Sequence, residues 1–295
     1  MRTFSGIWPA LVTPLTEDST VNVPVLRDIL GYLLDKGVDG FYVGGTTGEG
    51  IYLPVAERQR IVETALQTVN GRVPVIVHVG TPVVGDAVAL ARHAQANGAA
   101  GVSSVLPPLY NDARSVQRYY QTVAASVPDL PFLSYLLNPN LDAVALMQTL
   151  MDIPNLAGAK YTGPNMYELR RIIDMGKPVW TVFSGMDEET VYADMAGVSG
   201  NIGSTLNVMP GAYREIGRLV QAGDFAAAHD LQMRANRVTT AMIGVGFAGA
   251  LKAIMTRFGF PAGEPVLPNL PLSSEQRSQL DRQLAETDFD ELVKM

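Results

Sequence analysis

The chain has 295 residues, of which 47% are hydrophobic and 17% are charged, a composition typical of a globular protein with a sizeable core. With 22 Lys and Arg against 29 Asp and Glu, its net charge of −7 argues against nucleic-acid binding, which needs clustered basic residues. The absence of cysteine excludes disulfides, thiol nucleophiles and cysteine-ligated metals. The three histidines (His78, His93 and His229) are scattered and form no zinc-hydrolase motif.

The length is compatible with one domain or two. At about 150 residues per domain we would expect two, but a single α/β barrel of about 250 residues also fits. The N-terminal segment lacks the apolar stretch of a signal peptide, and no uninterrupted apolar run of about 18 residues predicts a membrane span. We therefore expect a cytoplasmic protein that binds neither membranes nor nucleic acid.

Short apolar runs rich in β-branched residues recur along the chain, and each is followed by a helical stretch. Most of these runs are apolar on both faces, which is typical of parallel strands covered on both sides. The sequence predicts eight strands, near Gly6–Pro14, Gly40–Gly45, Pro74–Gly80, Gly101–Pro107, Pro131–Leu137, Leu156–Thr162, Trp180–Gly185 and Val198–Ser204.

Apolar residues at helical spacing fill the segments between the strands. Proline in the first turn and glycine or asparagine after the last turn mark several of the helix ends. The predicted helices are Pro24–Lys36, Pro54–Val69, Gly85–Asn97, Asp112–Ser126, Asp142–Met151, Asn165–Met175 and Asp187–Ala196, followed by Asn207–Ala222, Phe225–Thr239, Thr240–Phe258 and Ser273–Ala285.

This alternation predicts a (β/α)8 TIM barrel over residues 1–222, with a C-terminal helical extension over 223–295 packed on the barrel. A doubly wound open sheet is the main structural alternative. Eight evenly spaced units, and the lack of G-x-G-x-x-G after the first strand, favour the barrel.

Lys160 lies in a small, apolar predicted strand and is one of only five lysines. A charged lysine inside a barrel is costly, and desolvation favours the neutral amine, which attacks ketones to form a Schiff base. The alternative is a buried ion pair, with Glu49 as the candidate partner, and the residues alone leave both interpretations open. Lys252 is the only other lysine in an apolar setting, and its stem is expected to lie along the surface with the ammonium in water.

The loop Gly44–Gly50 follows the second predicted strand, where a barrel gathers its reactive groups. Its glycines can expose backbone N–H groups, and the hydroxyls of Thr46 and Thr47 add donors for a carboxylate or phosphate. An ordinary connecting turn is the alternative. The absence of a Walker lysine argues against a nucleotide site.

Other polar residues at the predicted strand ends have a structural and a functional interpretation. Tyr135 is either a core tyrosine or a proton shuttle. Asp187 and Glu188 either charge the start of a helix or accept hydrogen bonds from a polyol, and Ser204 is a possible helix cap. His78 is predicted to be a hydrogen-bonded core histidine.

Three of these features in this order and spacing resemble the dihydrodipicolinate synthase/N-acetylneuraminate lyase family of Schiff-base pyruvate enzymes: Gly44-Gly-Thr-Thr-Gly-Glu49, Tyr135 and Lys160. The resemblance covers Gly6 to about Pro271. It implies that Lys160 forms the Schiff base and that the loop, with Gly45, Thr46 and Thr47, binds the 2-oxo acid carboxylate. It implies that Tyr135, helped by Thr46, moves protons, that no metal or organic cofactor is used, and that the chain forms a homotetramer.

Within the family the sequence is more similar to the lyase branch. Gly185-Met-Asp187-Glu188 matches a motif whose acidic pair binds sugar hydroxyls, and Ile202-Gly203-Ser204-Thr-Leu-Asn207 matches a second lyase motif. Thr162 matches a position that contacts the ligand.

Two departures from the family pattern concern the walls of the site. The synthase branch has an arginine that holds its second substrate, and Asn140 stands at that position here. An amide cannot replace the guanidinium of that arginine. The family also often has a tyrosine after the fourth strand that reaches a neighbouring subunit. Here it is replaced by Leu109 or displaced to Tyr110.

The resemblance therefore implies a lyase that cleaves N-acetylneuraminate to N-acetylmannosamine and pyruvate. An aldolase or dehydratase for another 2-keto-3-deoxy sugar acid is the nearest alternative, and dihydrodipicolinate synthase is disfavoured. A barrel that binds sugar acids without turnover is the alternative from a different class.

Overall fold

The computed structural model describes residues 4–105, 112–137, 142–176 and 178–295. Eight parallel strands form one sheet in the order β1-β8-β7-β6-β5-β4-β3-β2. A parallel bridge between Ala10 and Tyr42, with the Leu11 N–H donating to the Tyr42 carbonyl at 2.9 Å, joins the two ends of the sheet and closes the barrel. The strands are Gly6–Pro9 (β1), Phe41–Val43 (β2), Val75–His78 (β3), Gly101–Val105 (β4), Phe132–Leu137 (β5), Leu156–Thr162 (β6), Thr181–Ser184 (β7) and Gly200–Gly203 (β8).

Helices alternate with the strands, which confirms the predicted (β/α)8 fold. Asn or Asp side chains cap the first turns of several helices, as at Asn22, Asp112 and Asp142. The helices are Val23–Asp35 (α1), Val55–Val69 (α2), Val84–Ala96 (α3), Ala113–Ala125 (α4), Ala143–Leu150 (α5), Met166–Gly176 (α6), Thr190–Ala196 (α7), Pro210–Gln221 (α8), Phe225–Val245 (α9), Phe247–Arg257 (α10), Ser274–Ala285 (α11) and Phe289–Leu292 (α12).

Several boundaries differ from the predicted ones. The predicted break at Thr239 is wrong, because α9 continues to Val245 and the chain turns at Gly246, whose φ of 110° favours glycine. α7 and α8 begin later than predicted because 3₁₀ turns, Asp187–Glu189 and Thr205–Asn207, precede them. The short α12 was not predicted.

In the described part of the chain, no single helix is long and apolar enough to cross a membrane. α9 and α10 reach that length and composition only when taken together, and they are bent by 115° at their junction.

Two apolar cores flank the sheet. The larger lies between the strands and the surrounding helices, and the smaller fills the interior of the barrel. Trp8 is central to the inner core, with its ring centroid 5.4 Å from those of Phe4 and Phe183 in edge-on contacts. The barrel interior is therefore packed rather than open, and polar side chains inside it need specific partners.

The C-terminal extension is tied to the Gly44–Gly50 loop through Glu49. Lys252 of α10 lies 2.9 Å from Glu49 Oε1, and these side chains are 3% and 1% exposed. Glu49 Oε2 accepts hydrogen bonds from the Val266 N–H at 2.7 Å and from Asn269 Nδ2 at 3.1 Å. The expectation of a solvated Lys252 ammonium is therefore wrong, as is the alternative of an ion pair between Glu49 and Lys160, because Lys252 is the partner of Glu49.

We predict that Lys252→Met lowers the free energy of unfolding by about 3–5 kcal/mol, because it leaves the Glu49 charge buried without its partner. The double variant Glu49→Gln with Lys252→Met should regain much of this loss, since both charges are then removed. Urea unfolding followed by circular dichroism measures the effect, with Lys294→Met at the C-terminus as the control. A Lys252→Met protein as stable as the wild type would contradict a structural role for the pair.

Candidate active site

The direction in which the Lys160 side chain points depends on a β-bulge in β6. Leu133 of β5 pairs with Gly158 rather than with Ala157, which leaves Ala157 as an extra residue in β6. Ala157 faces the inner core, so strict alternation from it would turn Lys160 outward toward the helices. The bulge shifts the alternation by one residue, and Lys160 faces the barrel interior.

The bulge requires glycine at position 158. Gly158 has a φ of 138°, a conformation that other residues rarely adopt. A Cβ atom there would lie 1.8 Å from the carbonyl oxygen of Thr181 on β7. The Ala-Gly-Ala sequence before Lys160 is thus the local cause of its orientation.

Lys160 lies against the ring of Tyr135. The two residues are register partners on β6 and β5, and Lys160 Nζ lies 4.1 Å from the Tyr135 ring centroid and 5.2 Å from that of Tyr42. Lys160 is only 5% exposed. Among the described residues, no carboxylate forms an ion pair with this amine, so aromatic faces are its immediate surroundings.

The same contact alters the acidity of Tyr135. Burial raises the pKa of this phenol, but the Lys160 charge and the neighbouring polar groups of Thr46, Lys160 and Thr162 lower it more, so that the pKa of Tyr135 lies below its ordinary value. Tyr42 and Tyr120 are also fully buried, and burial raises their pKa values well above the ordinary one. The pKa of Tyr135 is thus shifted in the opposite direction from the pKa values of Tyr42 and Tyr120.

Glycines fold the loop after β2 tightly on itself. Gly44 has a left-handed φ of 69°, and a Cβ atom on Gly50 would lie 2.0 Å from the Gly44 carbonyl oxygen. The Gly50 N–H donates to the Gly45 carbonyl at 3.0 Å. A Cβ atom on Gly45 would meet the ring of Tyr42 at 2.6 Å, so the loop backbone approaches the barrel interior closely.

Two hydroxyls extend this loop toward the rest of the site. Thr46 is exposed, and its hydroxyl contributes to the lowered pKa of Tyr135. The Thr47 hydroxyl forms a 2.6 Å hydrogen bond with the Ser204 hydroxyl after β8. Ser204 makes no helix-capping hydrogen bond, so its predicted role as a cap is wrong.

The opposite wall begins with Thr162 and Gly185. A Cβ atom on Gly185 would lie 1.8 Å from Thr162 Oγ1 and 2.9 Å from Lys160 Cε, so glycine leaves room beside the amine. Thr162 Oγ1 is buried and has no hydrogen-bond partner among the described residues. The same hydroxyl is among the groups that lower the pKa of Tyr135, so a polar group placed next to Lys160 would meet Thr162 and Tyr135 together.

Asp187 continues this wall from the end of β7. Its Oδ2 accepts hydrogen bonds from the Thr205 N–H at 2.7 Å and the Thr205 hydroxyl at 2.6 Å, so it bridges to the segment after β8 instead of capping a helix. A Cβ atom on Gly203 would lie 1.3 Å from Oδ1, which is buried and unpartnered within the described ranges. Burial, opposed by the Thr205 hydrogen bonds and supported by the Glu188 charge, raises the pKa of Asp187 to about 6.

Two residues that hold the acidic turn were not predicted. Gln232 of α9 donates from Nε2 to the Asp187 carbonyl at 3.0 Å, and Asn236 donates from Nδ2 to the Glu188 carbonyl at 3.0 Å. Gln232 is fully buried and Asn236 lies four residues later on the same helix face. The available signal was two amide side chains four residues apart in the predicted helix Phe225–Thr239. Glu188 itself is half-buried.

The structure thus brings most of the predicted site residues to one end of the barrel, with the amine, the phenol and the two walls around it. The positions of Leu109, Tyr110 and Asn140 lie outside the described residues. No group of three or more His, Cys, Asp or Glu in the described ranges is arranged to hold a metal ion. The arrangement offers a nucleophilic nitrogen, an acidic phenol beside it and hydrogen-bonding groups for a polar substrate.

The model of the dihydrodipicolinate synthetase family matches residues 3–287, and the chain therefore belongs to this family. The N-acetylneuraminate lyase of Citrobacter koseri is 31% identical to it over 93% of this chain and 97% of its own length. A probable 2-dehydro-3-deoxy-D-pentonate aldolase of Escherichia coli is 32% identical over 94% of each chain. Among solved structures, Proteus mirabilis N-acetylneuraminate lyase superimposes with a TM-score of 0.93 at 30% identity, covering 98% of this chain and 100% of that one.

We predict that Tyr135 ionises at lower pH than an ordinary tyrosine because of the neighbouring Lys160 charge. The difference in ultraviolet absorbance between the wild type and Tyr135→Phe, followed as the pH is raised, isolates its titration. In a Lys160→Met protein the same difference should move to higher pH, since the largest cause of the lowered pKa is then removed. A Tyr135 that titrates identically with and without Lys160 would contradict this account.

Proposed function

We propose that the protein is a Schiff-base lyase that cleaves N-acetylneuraminate into N-acetylmannosamine and pyruvate. The buried amine of Lys160, placed against the acidic phenol of Tyr135, is the observation that carries the proposal. A nucleophilic nitrogen and a proton acceptor side by side are the two groups that a retro-aldol cleavage needs. Membership of the family and the named lyases among its relatives support this choice.

In the proposed reaction, Lys160 Nζ attacks the C2 ketone of the open-chain substrate, and loss of water gives an iminium. Tyr135 removes the proton of the C4 hydroxyl, the C3–C4 bond breaks, and its electron pair moves to the iminium to form an enamine. N-acetylmannosamine leaves with the new carbonyl at its C1. Protonation of the enamine at C3 and hydrolysis then release pyruvate and restore the amine. The iminium accepts the electrons, so the proposed reaction uses no metal or organic cofactor.

The walls of the site suit the two ends of this substrate. The loop Gly44–Gly50 supplies N–H and hydroxyl donors for the carboxylate beside C2. The unpartnered oxygens of Thr162 and Asp187, together with Glu188, are acceptors for the hydroxyls of the sugar tail. A homotetrameric assembly stays a prediction of the family resemblance.

Turnover of N-acetylneuraminate, followed as pyruvate release, tests the proposal. We predict that Lys160→Arg loses about 10³-fold or more of kcat, because a guanidinium cannot form the Schiff base. Tyr135→Phe should lose about 10²–10⁴-fold, the range for a general acid–base group. Lys294→Arg is the matched control and should retain activity. Absence of pyruvate release by the wild type from any 2-oxo sugar acid would favour a barrel that binds without turnover.

A second candidate function is cleavage of a shorter 2-keto-3-deoxy sugar acid. It is favoured by the relative named as a probable 2-dehydro-3-deoxy-D-pentonate aldolase, which is as similar to this chain as the named N-acetylneuraminate lyases are. The chemistry at Lys160 and Tyr135 would be the same. The two candidates differ in how much they need acceptors for a long polyol tail.

Glu188→Gln separates the two candidates. If N-acetylneuraminate is the substrate, this variant should lose about 10- to 100-fold of kcat/KM on it, because a hydrogen bond to a charged acceptor is weakened. On a five-carbon 2-keto-3-deoxy acid the change should be less than about threefold. Glu189→Gln, in the same turn, is the control. A wild type that prefers the shorter acid, with no effect of Glu188→Gln on either substrate, would favour the second candidate.

A further inference from the structure

His78 connects the loop after β2 to the end of β4. It is the last residue of β3 and is 2% exposed. The Val105 N–H donates to His78 Nε2 at 3.2 Å, and His78 Nδ1 lies 2.9 Å from the Gly44 carbonyl oxygen. Because Nε2 accepts a hydrogen bond, the ring proton must be on Nδ1, which then donates to Gly44.

Arg58 of α2 keeps this ring in place and neutral. Its Nη2 donates to the His78 carbonyl at 2.9 Å and its Nη1 donates to the Gly80 carbonyl at 3.1 Å. Burial, together with the nearby Arg58 charge, lowers the pKa of His78 to about 3. The imidazole therefore acts as a fixed donor and acceptor and carries no charge at neutral pH.

The His78 ring also contacts the proposed proton-transfer residue. Its centroid lies 6.1 Å from that of Tyr135, with an interplanar angle of 84°, and 6.1 Å from that of Tyr42. An edge-on contact of this kind restricts the rotation of both rings. His78 thus touches Tyr135 on one side and the first residue of the loop on the other.

The hydrogen bond to Gly44 determines the direction of the next amide. In a trans peptide the carbonyl of Gly44 and the N–H of Gly45 point in opposite directions. With the carbonyl held toward His78, the Gly45 N–H points away from it. In the part of the chain that the structure describes, the N–H groups of Gly45, Thr46 and Thr47 donate no backbone hydrogen bond, so they are available to an anion.

We propose that His78 is a positioning residue for the Gly44–Gly50 loop, whose N–H groups it aims at the carboxylate of the 2-oxo acid. The inference rests on the proposed function, because that function supplies the carboxylate. The left-handed backbone of Gly44 has no side chain to hold it. The imidazole therefore supplies from β3 the hydrogen bond that fixes the Gly44 carbonyl.

Two substitutions at His78 separate this role from simple packing. His78→Asn keeps a donor at the position of Nδ1 and leaves the larger void. His78→Gln fills more of the void but places its polar atoms one bond further out, so the donor to Gly44 is lost. If the hydrogen bond matters, His78→Gln is the more damaging substitution, and if only packing matters, His78→Asn is.

The readout is reductive trapping by borohydride at graded pyruvate concentrations, measured by the mass of the intact protein. For His78→Gln, the pyruvate concentration that gives half-maximal trapping should rise about tenfold, while trapping at saturation is unchanged. For His78→Asn it should stay within about threefold of the wild type. Equal values in both variants, or a larger shift in His78→Asn, would overturn the proposal.

Failure of the Schiff-base chemistry that both candidate functions share gives a different result, because the wild type would then trap no pyruvate. The ring tautomer offers a test that needs no variant to fold. ¹⁵N spectra of selectively histidine-labelled wild type should show His78 as a neutral ring with its proton on Nδ1. A proton on Nε2 would overturn the proposal.

Discussion

The amine of Lys160 is buried with aromatic rings as its neighbours and, within the described residues, no carboxylate in ion-pair contact. Charge burial without a counter-ion is expensive, and a fold tolerates it where the group has chemistry to perform. The other elements of the site follow from this one placement. The bulge at Gly158 turns the amine inward, the register of β5 and β6 sets Tyr135 beside it, and Gly185 leaves space at its side.

Lys160 and Lys252 both lie in apolar surroundings, but in the described residues only Lys252 forms an ion pair with a carboxylate. Glu49 is the carboxylate of the loop after β2, and Lys252 from the C-terminal extension engages it. That pair attaches the loop to the extension. Because the Glu49 carboxylate is paired with Lys252, it does not pair with Lys160. The extension therefore belongs to the proposed active site in a physical sense, because a barrel without it would leave the Glu49 charge unpaired.

The fold was predictable because its signals are local and repeated. Eight apolar runs with helices between them indicate a barrel, and the family motifs indicate which strand ends carry Lys160, Tyr135 and the glycine-rich loop. Long-range features were not predictable. The partner of Lys252 lies some two hundred residues away in the chain. The hydrogen bond from Gln232 to Asp187 depends on how α9 packs against α7, α8 and the Asp187–Glu189 turn. The bulge at Gly158 was not predicted either. A glycine in a strand does not by itself show that the neighbouring strand will leave one residue unpaired.

In the proposed reaction the amine of Lys160 is the nucleophile. Borohydride reduction in the presence of pyruvate, followed by mass spectrometry of the proteolytic peptides, identifies the lysine that reacts. We expect one modified lysine per chain, on the peptide that contains Lys160, and none when Tyr135 and the loop are intact but Lys160 is replaced by arginine. A modified peptide that carries Lys252 or another lysine, or an unmodified protein at saturating pyruvate, would contradict it.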